Sequence, residues 1–107
     1  MVRELDKQSF EEALRIPGKP IVVDYSTDWC PYCKLLAPII EEVANEHANE
    51  IQVYYVDIDE QPDIAQKYEV MTIPSIFVFF NCELIRTSVN PGTKEALLKV
   101  IFGEEQG

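Results

Sequence analysis

The chain is predicted to form one α/β domain, a central mixed sheet of about five strands flanked by about four helices. Three observations carry this expectation. Short apolar runs alternate with longer segments whose apolar residues recur at helical spacing. The run Ile21-Val22-Val23-Asp24-Tyr25 is nearly continuous, as in a strand covered on both faces of a parallel sheet. The last two apolar runs are separated by a tight turn at Asn81-Cys82, which makes them antiparallel and the sheet mixed. At 107 residues and 47% hydrophobic composition, the chain suits a single domain over 1–107 with its own core.

Each element has a local cause. After a short strand near Arg3 to Leu5, Asp6 and Ser9 are N-cap candidates for a helix reaching Ile16, with Phe10, Ala13, Leu14 and Ile16 as its apolar stripe. Pro17-Gly18-Lys19-Pro20 stops that helix, and Ile21 to Ser26 follows as the buried strand. Pro31 opens a long helix to about Asn49, with Leu35, Leu36, Ile39, Ile40 and Val43 at helical spacing and Pro38 expected to bend it. Ile51 to Asp57 is the next strand; a helical crossover makes it parallel to its predecessor and right-handed. A short helix around Asp63 to Tyr68 leads to Thr72-Ile73-Pro74, then to the hairpin of Ile76–Phe80 and Leu84–Ser88. Thr93 to Phe102, with Ala96, Leu97, Val100 and Ile101 on one side, closes the fold, and the tail from Gly103 to Gly107 is expected to fray.

Chemistry is concentrated where the buried strand hands over to the long helix, at Asp28-Trp29-Cys30-Pro31-Tyr32-Cys33-Lys34. Cysteines three positions apart in a helical first turn share a face, so a reversible disulfide is sterically available. Proline suits the first helical position, which makes Cys30 the N-cap, facing N–H groups that have no partner within the helix. Those donors and the positive helix end favour a thiolate, the form that attacks disulfides, and Lys34 adds positive charge nearby. Asp24 is the second informative residue: a carboxylate within an apolar strand needs a partner or a pKa raised enough to keep its proton.

Nineteen acidic against nine basic residues give a formal charge of -10, which disfavours nucleic acid and anionic membranes as partners. No stretch is long and apolar enough to cross a bilayer, and Met1-Val2-Arg3-Glu4 lacks the pattern of a secretory signal, so a cytoplasmic location is expected. Asp57, Asp59, Glu60 and Asp63 lack the spacing of a calcium loop and are read as solvated acids; no metal site is expected. His47 lies far along the helix from the thiols and is read as a surface or partly packed residue, not a catalyst.

The chain resembles the thioredoxin family over nearly its whole length, through Val23-Asp24-Tyr25, Trp29-Cys30-Pro31-Tyr32-Cys33-Lys34, Ala37-Pro38, Val56-Asp57-Ile58-Asp59, Thr72-Ile73-Pro74-Ser75 and the final amphipathic segment. The resemblance implies a thioredoxin fold and a protein-disulfide reductase with Cys30 and Cys33 as a redox-active pair and Asp24 as general acid/base. It implies a cis Ile73-Pro74 bond, an apolar docking platform of Trp29, Pro31, Tyr32, Ile73 and Pro74 around one exposed sulfur, and a backbone at Ile73 that pairs with an extended substrate. It further implies a monomer with no bound cofactor, whose partners are disulfide-containing proteins and a thioredoxin reductase carrying flavin and drawing on NADPH.

The chain departs from the family at four places. Pro31-Tyr32 stands where most thioredoxins have Gly-Pro and looks like the glutaredoxin dipeptide. Tyr55 stands where a lysine often neighbours the buried aspartate. Cys82 occupies a turn position usually held by glycine and is expected to be an exposed spare thiol, and Asn90-Pro91 stands where glycine is preferred. Alternatives to the reductase are a glutathione-coupled glutaredoxin-like enzyme, against which stands the lack of a late Gly-Gly pair; a thiol oxidase or isomerase; and a non-catalytic scaffold or zinc-binding module.

Overall fold

A computed structural model describes residues 2–103. Its elements are β1 (Arg3–Glu4), α1 (Lys7–Leu14), β2 (Ile21–Ser26), α2 (Pro31–Glu46), β3 (Gln52–Asp57), α3 (Pro62–Lys67), β4 (Ser75–Phe80), β5 (Glu83–Val89) and α4 (Lys94–Phe102). Strand order is β1-β3-β2-β4-β5. β1 and β2 run parallel to β3, β4 is antiparallel to β2, and β5 is antiparallel to β4. The expected mixed sheet is therefore present, with β2 at its centre. The expected fraying from Glu104 to Gly107 lies outside the described residues.

β2 is buried along its whole length because helices cover both faces of the sheet. Ile21, Val23 and Tyr25 point into one core with Phe10 and Leu14 of α1 and Ile64 of α3. Val22 points the other way, into a core with Leu36, Ile40 and Val43 of α2 and Leu97 and Ile101 of α4. Strand side chains alternate between faces, so Asp24 shares the α2 face with Val22. That alternation aims the one charged residue of β2 at the dithiol helix.

Helix starts follow their caps. Asp6 and Ser9 are partners in one capping box: the Ser9 N–H donates to Asp6 Oδ1 and the Asp6 N–H to Ser9 Oγ, each at 2.9 Å. Thr93 caps α4 by accepting the Ala96 N–H at 3.1 Å. Helix ends are shorter than expected. α1 stops at Leu14 because the N–H groups of Arg15 and Ile16 turn back to Glu12 and Ala13, a tightened last turn ahead of Pro17. α2 stops at Glu46, and the His47 carbonyl collects the N–H groups of Glu50 and Ile51 in a turn that starts the next strand. Leu35 is exposed rather than part of the stripe, since the buried face of α2 is Cys33, Leu36, Ile40, Val43 and Ala44.

The hairpin between β4 and β5 turns through Asn81 (φ 51°) and Cys82 (φ 73°), both left-handed, as a two-residue hairpin requires. Cys82 is exposed there, as expected. Arg86 of β5 ties down the end of α4, its Nε donating to the Val100 carbonyl at 2.6 Å and Nη2 to that of Ile101 at 2.8 Å. Lys94 bridges α4 to α2 through Glu42 and Glu46, each at 2.8 Å.

Candidate active site

Cys30 is the N-cap of α2 and Pro31 its first residue. The Cys33 N–H donates to Cys30 Sγ at 3.2 Å, so the sulfur occupies the place that a serine or aspartate oxygen takes in an ordinary cap. Both cysteines are free thiols. The exposed Cys30 sulfur anticipated from sequence is not what the fold presents: Cys30 is 4% exposed and Cys33 5%. A capping atom must turn inward to meet the helix N–H groups, and that turn hides Cys30 as deeply as its partner.

Burial marks the chemistry of Cys33 in particular. The Cys33 thiol is pushed up to about 12, chiefly by burial, then by its hydrogen bond with Cys30 and the nearby charges of Cys30 and Asp24, with a Thr27 backbone contact pulling the other way. Asp24 is buried as the sequence predicts, 6% exposed, and its carboxyl is pushed up to about 7 by burial alone. Its Oδ1 has no hydrogen-bond partner among the described residues, and neither has the buried Thr27 Oγ1. Tyr55 pairs with Asp24 in register across β2 and β3, and its phenol is held up to about 12 by burial and then by Glu4, Asp28, Asp57 and Glu60. Asp24, Cys33 and Tyr55 line one cavity behind the dithiol.

Around the thiols, Trp29 and Tyr32 are exposed, not core residues, and Pro31 is exposed with them. The Ile73-Pro74 bond is cis. Ile73 is half-buried, while Pro74 is buried, its carbonyl accepting the Asn90 N–H at 2.8 Å. Asn90 itself has φ 47°, a left-handed conformation that glycine would adopt freely. Lys34 forms no ion pair among the described residues. His47 is partly buried, at the far end of α2.

Two features escaped the sequence. Asp59 accepts the Trp29 indole N–H at 2.8 Å and so is not one of the freely solvated acids that the sequence pattern suggests. The available signal was register: Ser26 pairs with Asp57, so the residues that follow the two strands must lie side by side. Met71, just before Thr72-Ile73-Pro74, is an almost fully exposed apolar side chain. The acids also divide by role. Asp57 is buried and accepts the Asp59 N–H at 2.9 Å as a turn former, and it comes within 4.8 Å of Glu4 and Glu60. Neither thiol belongs to that trio, so the zinc-module alternative gains no third ligand from it.

Comparison with known proteins agrees with this architecture. A family model described as Thioredoxin matches residues 1–102. A thioredoxin of Rickettsia bellii is 35% identical over 101 residues, covering 94% of this chain and 96% of that protein. A thioredoxin of Buchnera aphidicola from Acyrthosiphon pisum is 37% identical over 91 residues, covering 85% and 84%. A bifunctional thioredoxin reductase/thioredoxin of Mycobacterium leprae is 33% identical over 96 residues, 90% of this chain but 21% of that protein. In fold, the chain superposes with a TM-score of 0.84 on a chain from work on the thiol-resolving mechanism of yeast mitochondrial 1-Cys peroxiredoxin via glutathione/thioredoxin systems, at 24% identity and covering 94% and 92% of the two chains. A dithiol seated on a helix cap, in a fold and a sequence shared with these relatives, makes the chain a member of the thioredoxin family and a thiol-disulfide oxidoreductase acting on protein disulfides.

Proposed function

We propose that Cys30, as a thiolate, attacks a protein disulfide and forms a mixed disulfide, expelling the substrate's other sulfur as a thiolate that takes up a proton. Cys33 then gives its proton to Asp24 and attacks Cys30 Sγ, expelling the second substrate sulfur as a thiolate that takes up a proton and leaving a Cys30–Cys33 disulfide. Two electrons pass from the dithiol to the substrate. The observation that carries these roles is the state of Cys33 behind the capping sulfur of Cys30: it is held protonated to about 12, beside a buried carboxyl whose value of about 7 suits a proton acceptor at neutral pH. Trp29, Pro31, Tyr32, Ile73 and Pro74 form the docking surface, with the Ile73 backbone pairing with an extended substrate segment.

The chain needs no cofactor of its own, and reductase and disulfide partners go with the family. The specific regenerating partner is a flavin-containing thioredoxin reductase drawing on NADPH, in the cytoplasm; the Mycobacterium leprae relative, named as reductase and thioredoxin in one protein, supports this pairing. No helix among the described residues is long and apolar enough to cross a membrane. The glutaredoxin-like dipeptide Pro31-Tyr32 favours a second route, regeneration by glutathione. Insulin reduction coupled either to NADPH with thioredoxin reductase or to glutathione with its own reductase separates the routes. Turnover is expected with the first, and Cys33→Ser should accumulate the mixed disulfide; native-rate turnover by Cys33→Ser would refute the two-thiol scheme.

A further inference from the structure

A cavity of about 370 Å³ opens behind Cys33, and Asp24, Asp28, Cys33, Lys34, Glu41 and Tyr55 are on its wall. On its wall lies a carboxyl without a hydrogen-bond partner at one oxygen: Asp24 is more than nine-tenths buried, and Oδ1 has no partner among the described residues. β3 presents the neutral phenol of Tyr55 in register, and β4 presents apolar Ile76. α2 presents the thiol of Cys33, then Lys34 and Glu41, and the loop after β2 presents Asp28. Among the described residues Lys34 is the one cation on the wall, and it is exposed. Burial is the sole cause raising the Asp24 carboxyl, and no positive group among the described residues offsets it.

The remaining charge near the cavity is negative. Asp28 and Glu41 line it, and Glu4, Asp28, Asp57 and Glu60 together hold the Tyr55 phenol up. Acidic groups outnumber the single lysine on this wall, and a recess with an excess of one sign of charge concentrates ions of the other. We propose that this cavity is a binding site for an ammonium or guanidinium group, which pairs with the Asp24 carboxylate while Asp28 and Glu41 draw it in. A metal ion suits the recess less well, because the ligand atoms that converge among the described residues are those of Glu4, Asp57 and Glu60. A planar guanidinium can donate to Asp24 in its plane and lie against the Tyr55 ring. Such a cation binds only ionised Asp24, so occupancy releases a proton from the group that receives the proton of Cys33. That catalytic consequence rests on the roles proposed above; the binding itself does not.

The test follows the Asp24 carboxyl carbon by NMR in the reduced, full-length protein, with about 50 mM methylguanidinium chloride against sodium chloride at equal strength. The titration midpoint should fall by roughly half a pH unit, about a threefold loss of proton affinity. The fall should be at least halved in an Asp28→Asn, Glu41→Gln double variant. A blocked tripeptide with a central arginine separates the sources of the cation: a matching fall admits side chains of protein partners, and silence confines the site to free small cations. A midpoint that moves no further with methylguanidinium than with sodium, or a fall undiminished in the double variant, would overturn the proposal. Loss of turnover in Asp24→Asn alongside a silent titration would refute the cation site and leave the proton role standing.

Discussion

Asp24→Asn tests whether the buried carboxyl is stored as an acid. Its folded value of about 7 lies above the ordinary 3.8, so the native state holds the proton more tightly than the unfolded chain does. Below about pH 4 both states are protonated and the residue is neutral to stability. Between about 4 and 7 only the unfolded chain ionises, so stability falls with rising pH, by about 1.4 kcal/mol for each pH unit. Above 7 the full penalty is in place, on the order of 4 kcal/mol across the interval. The asparagine variant lacks this dependence. Urea unfolding of both reduced proteins from about pH 4 to 8 gives a difference in which every other titrating group cancels. The variant should gain on the parent by about 4 kcal/mol over that range, whatever constant offset the amide introduces. A difference flat across pH would show that Asp24 is solvated or ion-paired, and would remove it as a proton store.

Three further outcomes follow from named contacts. Iodoacetamide at neutral pH should label exposed Cys82 at least roughly ten times faster than Cys33, whose thiol is both hidden and held protonated to about 12; mass spectrometry showing equal rates would contradict that environment. Asp59→Ala removes the acceptor of the Trp29 indole, so it should cost no more than about 1.5 kcal/mol of stability while shifting tryptophan emission and raising KM for a protein disulfide with kcat preserved; unchanged emission and KM would show that Asp59 does not position Trp29. Arg86→Met keeps the aliphatic stem but loses both bonds to the last carbonyls of α4, which should cost about 2 kcal/mol in urea unfolding without affecting turnover; a loss within error would show those bonds to be idle.

What the sequence revealed and what it hid divide by range. Cys30 as cap and Pro31 as first helical residue were legible because capping is settled within four residues, and Asp24 because a charge in an apolar run has few explanations. The same held for the left-handed hairpin turn at Asn81-Cys82. The ends of α1 and α2 were overextended because apolar periodicity continues past the point where turning carbonyls take over, at Glu12 and Ala13 in one case and at His47 in the other. Leu35 was misplaced because helical spacing alone does not say which of two adjacent leucines faces the sheet. The depth of Cys30 was missed for a different reason: an N-cap was recognised as a source of charge stabilisation but not as a constraint on where the sulfur points. The bond between Trp29 and Asp59 spans thirty residues and exists only once β2 and β3 are in register.

The capping bond from the Cys33 amide to Cys30 Sγ ties the backbone to the electron count of the protein. A thiolate is a strong acceptor and a disulfide sulfur a weak one, so oxidation weakens the hold on the first turn of α2 at the same instant that a covalent link replaces it. The amide proton of Cys33 is thus a built-in gauge: its chemical shift should register each transfer of an electron pair without any external label.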